Sequence, residues 1–311
     1  MHRYIARRTG GLALVLAVTL VLTFLAIRAV PGDPVLMMLG DQTGNEELAR
    51  ALRHQYGLDR SMGVQFLTYI LRLLHGDLGL SYRFQDTPVI EVIREALKIS
   101  PLLALGALTI AVPAGLALGI LAALRRGTLV DTGIMLAVTS CLSIPSFALA
   151  AFLVWLFSVK LGWLPVAGWR TPAHAVLPIV LLAIGPTAAI ARLSRTFMID
   201  VLGQDYMRTA RAKGLSEHVV ILRHGLRNAL VPILTVIGVI LGFLATGTFI
   251  IETLFNIPGL GRLAVESILA RDYPVTMAIV LLFTLTFALI NFAVDLLYAV
   301  IDPRIRLEEG K

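Results

Sequence analysis

The sequence predicts an all-α, polytopic membrane protein with six transmembrane helices, and three observations support this prediction. Hydrophobic residues make up 57% of the 311 residues. Six stretches contain no Asp, Glu, Lys or Arg: 9–27, 99–124, 132–159, 171–191, 228–251 and 273–294. Each is close to or above the roughly 20 mostly apolar residues that a helix needs to cross a bilayer. Finally, Lys and Arg concentrate in alternate connections between the stretches.

The first element comprises an N-terminal tail and the first transmembrane helix, residues 1–30. Arg3, Arg7 and Arg8 precede the apolar run, as basic residues do in a secretory signal peptide. The run is longer than a typical signal core of roughly 7–15 residues, and no small-residue cleavage site follows it. We therefore expect this segment to be retained as a transmembrane helix.

The second element is an extracytoplasmic segment, residues 31–98, with short amphipathic helices. Asn45 is predicted to cap a helix that Gly57 ends, since asparagine accepts N-terminal amide bonds and glycine tolerates the left-handed conformation. A second apolar pattern starts at Val64, ends near Gly76 and is too short to span at about 13 residues. We expect it to lie along the membrane or against neighbouring helices. The whole segment is large enough to dock an outside partner, and a simple cap on the bundle is the alternative.

The third element is the transmembrane core, residues 99–311. Its apolar runs contain four interior prolines, Pro113, Pro145, Pro178 and Pro186. We expect the helices to continue through them, because neighbouring groups in a membrane protein can satisfy the freed backbone atoms. Cys141 is the only cysteine, which excludes an intrachain disulfide and a zinc cluster, and no metal site is predicted.

An outer loop at residues 252–274 joins the last two predicted helices of this core. It contains a predicted turn at Pro258, Gly259 and Gly261, followed by a short helix over residues 262–270. Our hypothesis is that this turn forms part of an outer gate.

The distribution of basic residues predicts the orientation in the membrane. With the N-terminus inside, the inner segments hold 15 Lys and Arg and the two short outer loops hold four. The remaining eight lie in or near the segment at 31–98, where nine acidic residues offset them. Short loops rich in Lys and Arg stay cytoplasmic, so both termini are predicted to be cytoplasmic. The net charge of +7 is therefore a topology signal and does not indicate a nucleic-acid partner.

A basic island between the fourth and fifth apolar runs, residues 195–227, holds six Lys or Arg and two His. Asp205 is predicted to cap a helix that begins near Tyr206 and ends at Gly214, and Ser216 to cap a second short helix with Glu217 in its first turn. Such a helix–glycine–helix elbow suits a groove in a partner protein. A basic loop lying against anionic membrane lipid is the alternative, and the physics alone leaves both open.

Several short motifs occur in an order that resembles a known family. They are "AVPGDP" (29–34), "HGDLGLSY" (75–82), "HAVLP" (174–178), "YMRTARAKGL" (206–215), "HGLRNALVP" (224–232), "FNIPGLGRL" (255–263), "RDYP" (271–274) and "DLLYAVIDPRIR" (295–306). The chain resembles, over nearly its whole length, permease subunits of ATP-binding-cassette (ABC) importers of the dipeptide, oligopeptide and nickel group.

This resemblance implies a type I ABC importer permease fold in a bacterial inner membrane. It implies a second homologous permease, two ABC ATPase subunits and an extracytoplasmic solute-binding protein as partners. The implied function is uptake of short peptides, with nickel or glutathione as alternative substrates. The segment at 31–98 is the candidate contact for the solute-binding protein.

In the wider family the cytoplasmic loop carries Glu-Ala-Ala, three residues, then Gly. Counting back from Gly214 places Arg208, Thr209 and Ala210 at the first three positions, so the glutamate and any role specific to it are absent. The resemblance implies an ATPase-coupling loop with Gly214 as its elbow. Its members are Tyr206, Arg208, Thr209, Ala210, Arg211, Lys213, Gly214, Leu215, Ser216, Glu217 and His218.

The sequence contains no Gly-x-x-x-x-Gly-Lys-Ser/Thr phosphate loop, so no ATP hydrolysis, cofactor or other catalysis is expected of this chain. An ion-coupled secondary transporter is the rival function, but ionisable groups in the apolar runs are scarce, with Asp295 the strongest candidate. A membrane-embedded enzyme would need a convergent reactive cluster, and no such motif is present. Small polar residues in the spans usually serve helix packing. Four could instead line a substrate pathway: Ser143, Ser146, Thr246 and Thr248.

Overall fold

The computed structural model describes residues 2–40, 44–246 and 248–301 of the chain. Arg304, Arg306 and Lys311, counted above among the inner charges, lie outside the described residues. The first helices are α1 (His2–Ala29), α2 (Pro34–Leu39), α3 (Glu46–Gln55), α4 (Met62–Leu74), α5 (Val89–Arg94), α6 (Ala96–Leu124), α7 (Leu129–Ser143) and α8 (Ser146–Leu153). The others are α9 (Ala173–Leu202), α10 (Asp205–Ala212), α11 (Glu217–Val219), α12 (Arg227–Ala245), α13 (Phe249–Leu254), α14 (Leu260–Leu269) and α15 (Tyr273–Ile301). Two π-helical segments, Val154–Lys160 and Val220–Leu226, extend α8 and join α11 to α12.

Four of the predicted spans are helical segments long and apolar enough to cross a membrane: Thr9–Ala29, Val89–Leu124, Ala173–Leu202 and Tyr273–Asp295. The other two are bent pairs, so the described residues provide between four and six spans. The all-α, multi-span prediction is confirmed. The fifth apolar run was predicted to remain one helix to residue 251, but α12 ends at Ala245 and α13 starts at Phe249.

The third apolar run is broken, which corrects the expectation that a helix continues through Pro145. α7 and the helix that starts at Ser146 are bent by 101°. Ile144 takes an extended conformation with ψ 124°, as residues before proline prefer. The other three prolines lie inside α6 and α9 beside buried residues, whereas every residue from 139 to 148 is exposed. The exposed side chains there bury too little surface to hold a helix together across the proline.

The chain forms two compact units, residues 1–100 with 258–286 and residues 101–257 with 287–311. In the first unit, α4 carries apolar side chains on two sides. One side packs on Leu20, Phe24 and Met277 through Phe66, Tyr69, Ile70 and Leu73. The predicted cap and helix length are confirmed, since Asn45 Oδ1 accepts the Leu48 amide at 3.0 Å, and α4 is 13 residues long.

In the second unit, α6 approaches α9 through glycines. A Cβ atom on Gly119 would lie 2.5 Å from the Ala191 carbonyl oxygen and 2.6 Å from Ser194 Cβ. Backbone atoms cannot retreat from such a contact as a flexible side chain can. The close approach therefore fixes α9, the span that leads into the basic island.

We expect Gly119→Ala to destabilise the protein by about 1–3 kcal/mol, the usual cost of overpacking a tight contact. Thermal unfolding of the purified transporter measures the effect. Gly133→Ala is the matched control, because Gly133 is also helical and its Cβ would meet nothing within 4 Å. Equal melting temperatures for the two variants would contradict the close contact between α6 and α9.

Candidate functional site

The first helix of the basic island is α10. It begins at Asp205 itself, and Gln204 occupies the N-cap with an extended ψ of 150° and no side-chain cap bond. The prediction that Asp205 caps a helix starting near Tyr206 was therefore wrong by one residue, because Gln204 already provides the extended backbone that a cap requires. Asp205 lies instead in the first turn, where its charge favours the positive end of the helix dipole.

The turn after α10 is made by Gly214, as predicted. Its φ is +76°, in the left-handed region that glycine adopts without steric cost, and its amide donates to the Arg211 carbonyl at 2.9 Å. A Cβ there would meet nothing within 4 Å, so the backbone conformation alone demands glycine.

The predicted second short helix is the start of a longer one. Ser216 stands at the N-cap position of α11, but its side chain makes no cap bond. From Glu217 the helix runs without a turn through Val220–Leu226 into α12. The helix continues past Gly225. A Cβ atom on Gly225 would lie 3.4 Å from Met207 Cε, so this glycine faces α10 at close range.

One face of the elbow is buried within its own unit. Met207, Ala210 and Val220 form a buried cluster packed against Val201 and Leu202. Ala210, predicted to belong to the docking surface, therefore holds α10 against the rest of the unit. The Thr209 hydroxyl is likewise engaged internally, donating to the Asp205 carbonyl at 3.0 Å.

Two side-chain ties fix the angle of the elbow. Arg211 donates two hydrogen bonds to the Glu217 carboxylate, at 2.8 and 3.1 Å, across the glycine turn. Hydrogen bonding to Glu217 raises the pKa of the Arg211 guanidinium, so the pair stays charged at neutral pH. Asn228 Nδ2 donates to the Tyr206 hydroxyl at 3.0 Å and joins α10 to α12.

The opposite face is exposed and carries both apolar and cationic groups. Tyr206 and Leu215 are each 40% exposed. Arg208 is 78% exposed at its side chain, and Lys213 and His218 are also on the surface. A rigid elbow that presents apolar and basic side chains together can insert into a groove bordered by acidic groups.

α9 is tied to α7 at the end nearest the elbow. Arg195 makes a bidentate ion pair with Asp131, at 2.6 and 2.7 Å, and Asp131 also accepts the Gly127 amide at 3.0 Å. Asp131 is 4% exposed, so this arginine is committed to the fold. The partner could not be found from sequence, because it lies 64 residues away.

The four pathway candidates all lie in the second unit, at the ends of helices. Ser143 ends α7, and its hydroxyl donates to the Thr139 carbonyl at 3.0 Å. Ser146 begins α8, and Thr248 immediately precedes α13, which packs on α8. The Thr246 hydroxyl donates to the Phe243 carbonyl at 3.0 Å. The structure thus brings the helices that carry Ser146 and Thr248 together.

The predicted turn of the outer loop lies earlier than expected. The residue before α14 with a left-handed φ is Asn256, at +53°, and α14 already starts at Leu260, so Gly261 is inside a helix. Pro258 is exposed, and Gly259 is the N-cap of α14. The helix can start early because Ser100 Oγ accepts the Leu260 amide at 2.8 Å in a buried contact.

The motifs at 75–82 and 271–274 meet in the first unit. Asp272 is 1% exposed and accepts hydrogen bonds from the Ser81 hydroxyl and from the Tyr82 and Arg83 amides. The Arg271 guanidinium reaches the Pro31 carbonyl, in the motif at 29–34. Sequence analysis placed these motifs in order but did not predict that they share one network.

Comparisons with known proteins agree with this architecture. The model of binding-protein-dependent transport system inner membrane components matches residues 115–307, and the model of the N-terminal part of such components matches residues 1–96. The chain is 45% identical to the glutathione transport system permease protein GsiC of Salmonella choleraesuis, over 98% of this chain and 99% of that one. It is 43% identical to GsiC of Escherichia coli K12 over the same shares.

Among solved structures, the MetNI methionine ABC transporter in an inward-facing conformation matches with a TM-score of 0.54. The match covers 69% of this chain and 96% of that one at 19% identity, which shows the fold alone. The fold is the type I importer permease fold, and the chain is a multi-pass inner-membrane permease whose ATPase is a separate subunit. With two family models covering most of its length and relatives more than 40% identical, the chain belongs to the binding-protein-dependent transport system inner membrane components, the permease subunits of ABC importers.

Proposed function

We propose that the chain forms half of a translocation pathway for short peptides, with glutathione as the first substrate to test. The observation that supports this substrate class is the 45% identity, over 98% of the chain, to permeases named for glutathione transport. Glutathione is itself a tripeptide, so it falls within the class that the sequence motifs indicate. A nickel chelate is the alternative outcome of the same test.

The proposed complex pairs this chain with a second homologous permease, two ABC ATPases and an extracytoplasmic solute-binding protein. The exposed stretch from 139 to 148 supports the pairing, because it holds Ser143 and Ser146 at a break in a membrane span. Irregular backbone at membrane depth is tolerated only against protein or a water-filled cavity. A second permease would supply that cover and leave the small polar groups facing a shared pathway.

The proposed coupling element is the elbow, with both termini and residues 195–227 in the cytoplasm. Tyr206, Arg208, Lys213 and Leu215 would contact a groove of the ATPase, while Met207, Ala210 and Val220 hold the elbow to its own unit. Closure of the ATPases would then move residues 206–222 and tilt α9 and α12. Such a rigid-body shift switches a cavity between outward and inward access.

We expect a cysteine placed at Lys213 to react only from the cytoplasmic side. The natural Cys141 is exposed and is replaced first by serine, so that Lys213→Cys is the only thiol. A membrane-impermeant maleimide should label inside-out vesicles that contain the chain without its ATPase subunits, which would otherwise cover position 213, and should leave intact spheroplasts unlabelled. Asp59→Cys, on the exposed surface of the outer segment, is the control and should show the reverse. Labelling of position 213 from outside would exclude the coupling proposal.

The substrate is tested by reconstituting the chain with its co-purifying subunits in proteoliposomes. We expect ATP-dependent uptake of radiolabelled glutathione that excess unlabelled glutathione abolishes and nickel chloride does not. Uptake of dipeptides but not glutathione would keep the peptide class and remove glutathione. Solute movement by the isolated chain without an ATPase would exclude the importer and favour a secondary transporter.

A further inference from the structure

The first unit contains a cavity of about 140 Å³ between the outer end of α1, the helices α3 and α4, the loop after α4 and the start of α15. Charged residues of one sign line it: Arg28, Arg60 and Arg72, with His54 beside them. Among the described residues no Asp or Glu lines this cavity. The sign of the lining therefore favours an anionic ligand.

Among the described residues, three buried donors on these lining side chains have no acceptor. They are Arg28 Nη1 and the hydroxyls of Tyr56 and Tyr69, and the Tyr56 oxygen itself interacts with the Asp86 backbone. Buried donors are normally paired, because an unmade hydrogen bond costs free energy. All three belong to side chains that line one cavity, so an oxyanion bound there could supply the missing acceptors.

Arg28 is held in place for such a contact. Its Nη2 donates to Gln65 Oε1 at 2.6 Å, and its guanidinium carbon lies 3.5 Å from the centre of the Phe24 ring. The Gln65 amide is itself fixed by the Arg60 carbonyl at 2.8 Å. Arg72 is only partly neutralised by Asp77, at 4.0 Å. The Nη1 edge of the positioned Arg28 guanidinium thus remains for a ligand.

The surface beside the cavity indicates the rest of the ligand. α4 turns a second apolar side outward, where five large side chains are between 45% and 76% exposed: Met62, Val64, Leu67, Leu71 and Leu74. In a membrane protein such a stripe contacts acyl chains. A phosphate group in the cavity and hydrocarbon along α4 are both supplied by a phospholipid.

We propose that this cavity is a phosphate-binding site that takes the headgroup of a phospholipid, with Arg28, Tyr56 and Tyr69 as its donors. The phosphate oxygens accept from Arg28 Nη1 and the two hydroxyls, and the acyl chains cover the exposed side of α4. The lipid thereby joins α1, α3, α4 and the start of α15 within the first unit.

The test uses the delipidated, fully assembled transporter and its melting temperature. The probes are phosphatidylglycerol, inorganic phosphate, and a diacylglycerol with the same acyl chains and no phosphate. We expect phosphatidylglycerol to raise the melting temperature of the wild type by several degrees and the diacylglycerol to have little effect. The variant Tyr56→Phe/Tyr69→Phe should lose at least half of that shift, although it removes only hydroxyls that donate to no acceptor among the described residues.

Arg28→Gln should lose the shift as well, and the double tyrosine variant keeps the test valid if Arg28→Gln does not assemble. Arg50→Gln is the matched control, since its side chain is 78% exposed on α3 away from the cavity, and it should respond like the wild type. A variant-dependent shift with inorganic phosphate but not with phosphatidylglycerol would retain the site and assign it to a soluble anion. Equal lipid shifts in all variants, or a diacylglycerol as effective as phosphatidylglycerol, would overturn the proposal.

Discussion

Replacing Gly214 by valine should abolish most ATP-driven uptake while leaving the amount of protein in the membrane unchanged. Gly214 has a φ of +76°, and a β-branched residue in that region is a steric outlier. The surroundings are open, so valine would straighten the elbow and would not clash with a neighbour. Straightening separates Arg211 from Glu217 and turns Leu215 away from its present position. We expect at least a tenfold loss of uptake in proteoliposomes, equivalent to about 1.4 kcal/mol of coupling.

Two control variants test whether the loss of uptake comes from the backbone conformation at Gly214 or from any substitution of a glycine in this region. Gly214→Asn should retain much of the uptake, since asparagine tolerates the left-handed region better than other residues. Gly203→Ala should be close to normal, because Gly203 has an ordinary φ of −78° and its Cβ would meet the Asp200 carbonyl at 3.5 Å. Normal uptake by the Gly214→Val protein would mean that the elbow does not transmit the work of the ATPase.

Replacing Asp272 by alanine should strongly destabilise the first unit, residues 1–100 with 258–286. Asp272 is 1% exposed and accepts from the Ser81 hydroxyl and three backbone amides, and it precedes α15 directly. Alanine would leave these buried donors without an acceptor, at about 1–3 kcal/mol for each donor that water cannot reach. We expect a clear fall in the melting temperature of the assembled transporter and protease cleavage within residues 76–88, where wild type is resistant.

Asp59→Ala removes the same charge from an exposed position in the same unit and should melt like the wild type. Ser81→Ala should give an intermediate loss, because it removes one donor and leaves the carboxylate its three backbone amides. If Asp272→Ala melts with the Asp59→Ala control, the buried network does not hold the loop to the start of α15.

Sequence analysis predicted the features that local chemistry decides. Apolar runs of sufficient length predicted the spans, Asn45 predicted the cap of α3, and Gly214 predicted the turn after α10. In each case the residue type itself restricts the backbone or the environment. The family resemblance was predicted as well, because ordered motifs can be read without knowing which of them touch.

What could not be predicted depends on distant partners. Ser81 and Asp272 are 191 residues apart, and Arg211 meets Glu217 across a turn, at a spacing of six that no helix face provides. The break at Pro145 was missed for a related reason. The prolines in α6 and α9 lie beside buried residues and leave the helix intact. Composition does not reveal that residues 139–148 are all exposed.

The two ends of the elbow are joined to their spans differently. Gly203 and Gln204 interrupt the helix between α9 and α10, whereas the backbone from Glu217 through Val220–Leu226 into α12 is helical without interruption and bends by 52° near Pro232. The first junction therefore contains a break in the helical backbone, and the second contains none. Under the proposed coupling, a displacement of Leu215 would therefore reach the fifth span through continuous helical backbone, and the fourth span through the side-chain packing of Met207 and Ala210 on Val201 and Leu202.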